Sequence, residues 1–501
     1  MAPEGPRDRQ SDASRNPAEP ARASRSAGSR PSDSPPAELP RIETLLVLGA
    51  SGDLASRLLL PSLGQLLTVE PDRRILLVGA GAEQYDDEQW RTRVSDAFRS
   101  SQASGDAVDE LLSRTRYRSA DLTSDDGVRS VLDECEGAVA IYFALPPAIT
   151  FKACQALERI GVPNGSVLGL EKPFGSDAAS AHELNELVQR IVPERSIHRV
   201  DHFLGRTTVL NLLGLRFANR VFEPLWNSTH IERVDIVYDE ELALENRARY
   251  YDHAGALVDM LQSHLLQVLA IFAMEPPATL DEADLRDAKS TTLRATQVWG
   301  GDAAGSSRRA RYTAGRIGDR TLPAYTDEAG VDASNETETL AELTVEVGTW
   351  RWAGVPFTLR SGKALGRKRR EIMVTFREAP RVPSGLEGEA PANVLHIALA
   401  PERIALELNM NGPGDPETLS REVMQADFDP GRLKAYGEVL RGILDGDPSL
   451  SIRADTAEQC WRIVEPVLEA WRAGTVPLKE YAAGSDGPAS WRTSVRTGQS
   501  V

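Results

Sequence analysis

Thr44-Leu-Leu-Val-Leu-Gly-Ala-Ser-Gly-Asp-Leu-Ala55 sets the architecture expected of the first part of the chain. The apolar run 45–48 reads as a short buried parallel strand. Gly49 and Gly52 follow at once. Leu54, Leu58, Leu59, Leu63 and Leu66 then recur at helical spacing. Strand, glycine turn and helix in that order are the setting of a dinucleotide fingerprint, here in the form G-x-x-G-x-x-A. Such glycines let backbone N–H groups approach a pyrophosphate at the helix N-terminus. The bland alternative is a tight turn with no ligand.

Outward from this turn the same grammar continues. A second strand over 74–79 ends at Ala80-Gly-Ala-Glu83, where such folds meet the adenosine ribose. An acid there favours a free 2′-hydroxyl and an arginine favours a 2′-phosphate, so Glu83 leans toward NAD unless it is mere loop charge. Further strands are expected over 139–145, closed by Pro146-Pro147, and over 166–170, followed by Glu171-Lys-Pro-Phe-Gly175. Helices are expected over 148–160 and 178–191. Lys172 stands just past a strand end, where open α/β sheets bind ligands, although most such lysines are only solvated.

Arg199-Val-Asp-His-Phe-Leu-Gly-Arg206 gathers an acid, a base, a glycine and a guanidinium. If this segment is helical, His202 and Arg206 share a face and can grip phosphate. Otherwise they form a solvated ion cluster. A strand is expected over 231–240 and one long apolar helix over 254–274. Asp259 and His264 interrupt that helix and must find partners there, because unpaired buried polar groups are costly. A satisfied core histidine is the usual case. Strands then dominate, over 340–347, 355–359, 371–376, 394–399 and 403–408, and predict a mainly antiparallel sheet. Arg360-Ser-Gly-Lys-Ala-Leu-Gly-Arg-Lys-Arg-Arg370 between two of them is either a charged hairpin loop or a phosphate clamp. Helices are expected over 430–446 and 455–473.

The chain as a whole bounds the function. Its 501 residues should hold about two or three domains. A formal charge of −17 disfavours nonspecific binding to nucleic acid or to an anionic membrane. A site for an anionic substrate must therefore concentrate its cations locally. The three cysteines, Cys135, Cys154 and Cys460, have neither metal-ligand nor C-x-x-C spacing, so no metal is expected and a reducing cytoplasmic setting fits. No apolar run is read as long enough to span a bilayer, and there is no signal peptide. Residues 1–40 are rich in Pro, Ser, Ala and Arg and read as a disordered tail. Their acids argue against a transit peptide.

Taken together, these residues resemble the glucose-6-phosphate dehydrogenase family from about 44 to 488. The signatures are Gly49-Ala-Ser-Gly-Asp-Leu, Ala144-Leu-Pro-Pro, Glu171-Lys-Pro-Phe-Gly, Asp201-His-Phe-Leu-Gly, Leu215-Arg-Phe-Ala-Asn, Glu223-Pro-Leu-Trp-Asn, His264-Leu-Leu-Gln, Trp350-Arg-Trp-Ala-Gly-Val-Pro-Phe, Gly362-Lys-Ala-Leu and Tyr481-Ala-Ala-Gly-Ser. The resemblance implies a Rossmann-like α/β N-terminal domain over 41–200. An α+β domain with a large, mainly antiparallel sheet follows over 201–490, with a polar tail over 491–501. It implies a homodimer or homotetramer, often paired through that sheet.

The resemblance also implies roles. His264 is the base that takes the proton from the C1 hydroxyl of glucose 6-phosphate, and Asp201 orients it. Hydride passes from C1 to NADP or NAD, leaving a lactone. His202, and Arg206 where the family usually has Lys, hold the 6-phosphate. Lys172, Glu240, Asp259, Lys363 and Lys368 match substrate-binding positions. Gly49, Ser51, Gly52, Asp53, Leu54, Glu83, Pro146 and Lys172 face the cofactor.

Some positions depart from the family pattern. Position 58 is Leu instead of Lys. The Tyr after Asp-His is Phe203, Arg206-Thr207 replaces Lys-Glu, and Ser263 replaces the Asn before the base. The arginine expected at the ribose is missing where Ala82-Glu83 stands. These changes motivate a second reading, a divergent relative that prefers NAD or acts on another hexose 6-phosphate. A third reading is a non-catalytic nucleotide sensor. Retention of both Asp201 and His264 speaks against it.

Overall fold

Both faces of the first strand meet apolar neighbours, which is why it reads as an unbroken hydrophobic run. In the computed structural model, β1 (Ile42–Leu48) sends Leu46 and Leu48 to one hydrophobic core and Leu45 and Val47 to another. It is joined by β2 (Leu76–Gly81), β3 (Arg116–Ser119), β4 (Ala138–Phe143), β5 (Val167–Glu171) and β6 (Ile197–Val200). All pair in parallel in the order β3-β2-β1-β4-β5-β6. The order reverses between β1 and β4, so a crevice opens at their carboxyl ends.

Residues 41–491 are described, apart from 246, 247, 413, 415 and 430. The tail expected over 1–40 and nearly all of that expected over 491–501 lie outside the described residues.

The second sheet follows β7 (Ile231–Asp239). It comprises β8 (Thr296–Val298), β9 (Ser307–Thr313), β12 (Leu340–Val347), β13 (Phe357–Gly362), β14 (Arg369–Phe376), β15 (Val394–Leu399), β16 (Glu402–Asn411), β17 (Leu419–Asp427) and β18 (Leu478–Ala482). The strands β10 (Gly315–Ile317) and β11 (Arg320–Leu322) form a separate hairpin. The ten-stranded order is β17-β16-β15-β14-β7-β13-β12-β9-β18, with β8 against β12. Only the β13–β7 and β18–β9 pairs are parallel. One continuous core runs from a face of the parallel sheet, through the segment 256–273, to the large sheet. The described residues accordingly form one compact unit.

Three expectations change. Segment 201–206 is a turn, and the helix begins only at Thr207 (Thr207–Phe217), so His202 and Arg206 do not share a helical face. The long helix is not continuous. Gly255 breaks it with φ 64° and ψ 178°. A Cβ at Gly255 would lie 2.3 Å from Glu338 Oε1, and that oxygen accepts the Leu257 N–H at 2.9 Å. Residues Leu257–Leu265 then wind in wider π-type turns before an ordinary helix, Leu266–Ala273. Third, the stretch Tyr250–Ala273 is long and apolar enough to cross a bilayer, contrary to the reading above. Its apolar window is 94% buried inside the protein, as in a core helix.

The turn after β1 gives the first prediction. Gly49 has φ +85°, and a Cβ there would sit 2.3 Å from the Ala144 carbonyl oxygen. Gly49→Ala is expected to destabilise the protein by roughly 2–4 kcal/mol. The midpoint of chemical denaturation checks this, and an unshifted midpoint would contradict it.

Candidate active site

Asp201 follows β6 directly, and His264 lies near the end of the wide-turned helix. Folding brings their side chains together in the interior, Asp201 1% and His264 2% exposed, with His264 Nδ1 2.6 Å from Asp201 Oδ1. Burial alone would raise the Asp201 carboxyl. The adjacent His264 and the Phe203 N–H, which donates to Oδ1 at 2.9 Å, hold it well below the usual carboxylate range. The carboxylate is therefore ionised and can only accept. His264 carries its hydrogen on Nδ1, which leaves the Nε2 lone pair as the proton acceptor. Burial holds His264 below its ordinary value, partly opposed by Asp201. The ring is thus neutral near pH 7, as a base must be.

Aromatic rings extend the site on both sides of the dyad. Phe203 stacks on His264 with centroids 4.1 Å apart and 14° between planes. The Arg206 guanidinium lies 4.5 Å from the Phe203 centroid. The tyrosine-to-phenylalanine departure thus provides an apolar plate between base and guanidinium. His202 packs edge-on against His264 at 4.8 Å and stacks on Tyr436 at 5.3 Å. Burial, reinforced by His264, holds His202 well below its ordinary value, so it enters the site uncharged. Asp201, His202 and His264 have ligand atoms within 4.8 Å of one another, close enough for a cation by distance alone. Two of them, Asp201 and His264, are already joined by a short hydrogen bond.

Lys172 lies one residue past β5. It donates to the Asp259 carbonyl at 2.7 Å and to Asp259 Oδ1 at 3.0 Å. Ser263, at the departed asparagine position, donates its hydroxyl to the same carbonyl at 2.9 Å. Burial would raise Asp259, but Lys172 and Lys363 hold it well below the usual range. Lys363 reaches Glu240 at 2.9 Å, so these four expected substrate residues form one wall. Gly205 serves a close approach, since a Cβ there would come 2.6 Å from the Ala435 carbonyl.

Lys368, the remaining expected substrate residue, stands apart from this wall. Among the described residues it is exposed and makes no ion pair or hydrogen bond. Its neighbour Arg370 turns inward and donates to Glu240 at 3.2 Å. Arg370 lies within β14, whereas Lys368 belongs to the exposed loop before it.

The residues expected to face the cofactor lie at the carboxyl ends of β1, β2 and β4, with Lys172 just past β5. Gly49 and Ala50 donate to the Ala80 carbonyl, and Gly52 to that of Gly49, which shapes a tight turn before the helix. Ser51 donates its hydroxyl to Glu83, and this bond is the main reason that Glu83 is held below its ordinary value. Arg93, missed in the sequence, donates to the Ser51 carbonyl at 2.6 Å. Asp53 is exposed and pairs with Arg57 at 3.2 Å, Leu54 is half-buried, and Pro146 is exposed just before the helix Pro147–Ile160. Leu58 is exposed. A cavity of about 600 Å³, lined in part by Pro147, Leu170, Glu171 and Pro173, opens beside Lys172. Turn, helix start and cavity fit a nicotinamide dinucleotide.

Domain profiles agree with this geometry. Residues 46–211 match the NAD binding domain of glucose-6-phosphate dehydrogenase, and residues 213–500 match its C-terminal domain. The chain belongs to the glucose-6-phosphate dehydrogenase family. It is 36% identical to a glucose-6-phosphate 1-dehydrogenase of Rhizobium meliloti over 466 residues, which cover 88% of this chain and 94% of that one. A crystal structure of glucose-6-phosphate 1-dehydrogenase from Mycobacterium avium superposes with a TM-score of 0.78 at 30% identity, covering 90% of this chain and 96% of that one. A glucose-6-phosphate dehydrogenase in complex with its substrate glucose-6-phosphate gives 0.80 at 29% identity, covering 91% and 97%. Members of the family are NAD(P)-dependent oxidoreductases, in keeping with the expected fold and dyad.

Two glucose-6-phosphate dehydrogenase site features escaped the sequence. Glu171 is half-buried and accepts hydrogen bonds from Tyr142 and Tyr436, and desolvation raises its carboxyl to about 7 despite them. Tyr436 arrives from the distant helix Ala435–Asp445. No local pattern marks a tyrosine for such a position.

Proposed function

We propose that the protein oxidises D-glucose 6-phosphate at C1 to 6-phospho-D-glucono-1,5-lactone, the entry step of the oxidative pentose phosphate pathway. The buried Asp201–His264 pair carries this reading, with Nε2 as the free acceptor. When bound, the nicotinamide accepts the hydride. His264 takes the C1 hydroxyl proton as that bond breaks, and Asp201 stabilises the imidazolium formed. Lys172, Asp259, Glu240 and Lys363 hold sugar hydroxyls by hydrogen bonds, while the phosphate end fixes the ring at a distance from C1. A sensor has no use for a buried acid–base pair, which disfavours the regulatory reading. Formation of reduced cofactor by the purified protein with glucose 6-phosphate tests the proposal, and a folded protein without turnover would reject it.

Either NADP or NAD serves as cofactor in this reading. Glu83 favours the free ribose diol of NAD, and Arg93 supplies a cation close to it. Glu83→Arg is expected to raise the NADP-to-NAD ratio of kcat/KM about 10- to 100-fold, since a charge-assisted hydrogen bond is worth about 1.5–3 kcal/mol. Fluorescence titration with each nucleotide should follow the same ratio, and an unchanged ratio would remove Glu83 from the ribose. Exposed Met410 and Met424 on β16 and β17 support pairing of two copies through the large sheet, to be checked by the mass in solution. Three free cysteines support a cytoplasmic location.

A further inference from the structure

Glu338 is a buried acid that the reaction above does not use. It is 7% exposed, and its carboxyl accepts from backbone N–H groups. Burial of such a group is costly, so what it holds in place matters. It meets the helix that carries Asp259 and His264 at its broken start. Gly255 turns the chain there with φ 64°, and the N–H groups that follow lack the usual partner one turn back. Glu338 takes two of them. Its Oε1 accepts from Leu257 at 2.9 Å, and its carbonyl oxygen accepts from Ala256 at 3.2 Å.

The residues on either side of Glu338 extend the tie. Thr337 donates its hydroxyl to the Asp252 carbonyl at 2.6 Å. The Thr339 carbonyl accepts the Lys363 N–H at 2.8 Å. The Tyr481 hydroxyl, 2.9 Å from that of Thr339, donates to the Lys363 carbonyl at 2.7 Å. Residues 337–339 thus hold the helix start just before Asp259 on one side and the backbone of Lys363 on the other. Asp259 and Lys363 are two members of the sugar-binding wall.

We propose that Glu338 is a positioning residue that fixes where Asp259 stands relative to Lys363 and so sets the spacing of the sugar-binding wall. This rests on the sugar-phosphate reading above and deepens it. Glu338 acts through the helix start and touches neither partner of the dyad. His264 is held separately by Asp201 at 2.6 Å, so loss of Glu338 falls on sugar binding more than on proton transfer. The glycine turn that receives the dinucleotide belongs to the other sheet and stays as it is.

The test compares Glu338→Ala, Glu338→Gln and Ser307→Ala in the full chain. Ser307→Ala removes a buried partner of Trp471 elsewhere in the core and reports the effect of lost stability alone. Calorimetric titration with glucose 6-phosphate and, separately, with NADP and NAD reads binding without turnover, and steady-state kinetics follow. Glu338→Ala is expected to raise Kd and KM for glucose 6-phosphate about 10- to 100-fold, the cost of a displacement of about 1 Å at such a site. Its kcat should change less than its KM, and nucleotide affinity should stay at the parent value. Glu338→Gln keeps an acceptor for the Leu257 N–H and should remain within about threefold of the parent. Ser307→Ala should lower Tm with both affinities unchanged. A Glu338→Ala protein that loses Tm but binds the sugar phosphate normally would overturn the proposal, as would an equal loss of nucleotide affinity or a failure of Glu338→Gln to rescue. If Glu338→Ala does not fold, Glu338→Asp, whose shorter arm draws Leu257 out of place, carries the same expectation. If neither folds, Glu338 serves the fold alone and the proposal fails. A parent protein that does not bind glucose 6-phosphate would instead reject the sugar-phosphate reading itself.

Discussion

His264→Asn is expected to slow lactone formation roughly a thousand- to ten-thousand-fold while the sugar phosphate still binds. Asparagine is the informative replacement. Asp201 is buried beside the ring, and truncation to alanine would leave a carboxylate without its partner, which is itself destabilising. Asparagine keeps a donor near Oδ1 but cannot take a proton at neutral pH. The loss should therefore appear in kcat, with Tm and the affinity for glucose 6-phosphate close to the parent. Steady-state kinetics beside calorimetric titration of the sugar phosphate would read both. A variant retaining a tenth of the parent kcat would remove His264 from the base role, since a general base contributes about 100-fold or more.

Asp201→Asn is expected to lower kcat roughly a hundred- to ten-thousand-fold by a different route. The base remains, but the charge that stabilises its imidazolium is gone, and the Nδ1 tautomer loses its fixed acceptor. The pH profile distinguishes this from simple damage. In the parent, burial holds His264 below its ordinary value and Asp201 partly restores it. Activity requires the neutral ring, so kcat/KM should fall on the acid side, through an inflection below the ordinary histidine value of about 6.5. Removing the carboxylate deletes the largest influence that raises His264, so the inflection should move to still lower pH as kcat drops. An inflection that moved upward, or a kcat near the parent value, would show that Asp201 does not act through His264.

The same residues show how far local pattern reaches. The strand–glycine–helix run around Gly49 was legible because each signal is short-range. A buried parallel strand is apolar throughout, and a turn at φ +85° excludes a side chain. Helix 178–191 and the strands 340–347 and 394–399 were readable for similar reasons, with burial periodic along each. β17 was not anticipated. It is an edge strand whose residues are largely exposed and polar, so no alternation betrays it. The break at Gly255 was also missed. Its cause is a carboxylate 83 residues later, Glu338, and nothing local to Gly255, the second residue of the expected helix, marks it.

The sequence by itself determined the family, the two kinds of sheet, and the chemical types at the site: an acid, an imidazole and a set of lysines and arginines. Those depend on composition and spacing, which a chain carries before it folds. Tertiary structure alone decided which groups face one another. It joined Asp201 to His264 across 63 residues, brought Tyr436 to His202 from a helix near the C-terminal end, and turned Arg370 inward while Lys368 stayed in solvent. The physical reason is that hydrogen bonds and ion pairs act over a few ångströms. Partners distant in sequence become neighbours only when two sheets and a broken helix close around a shared core.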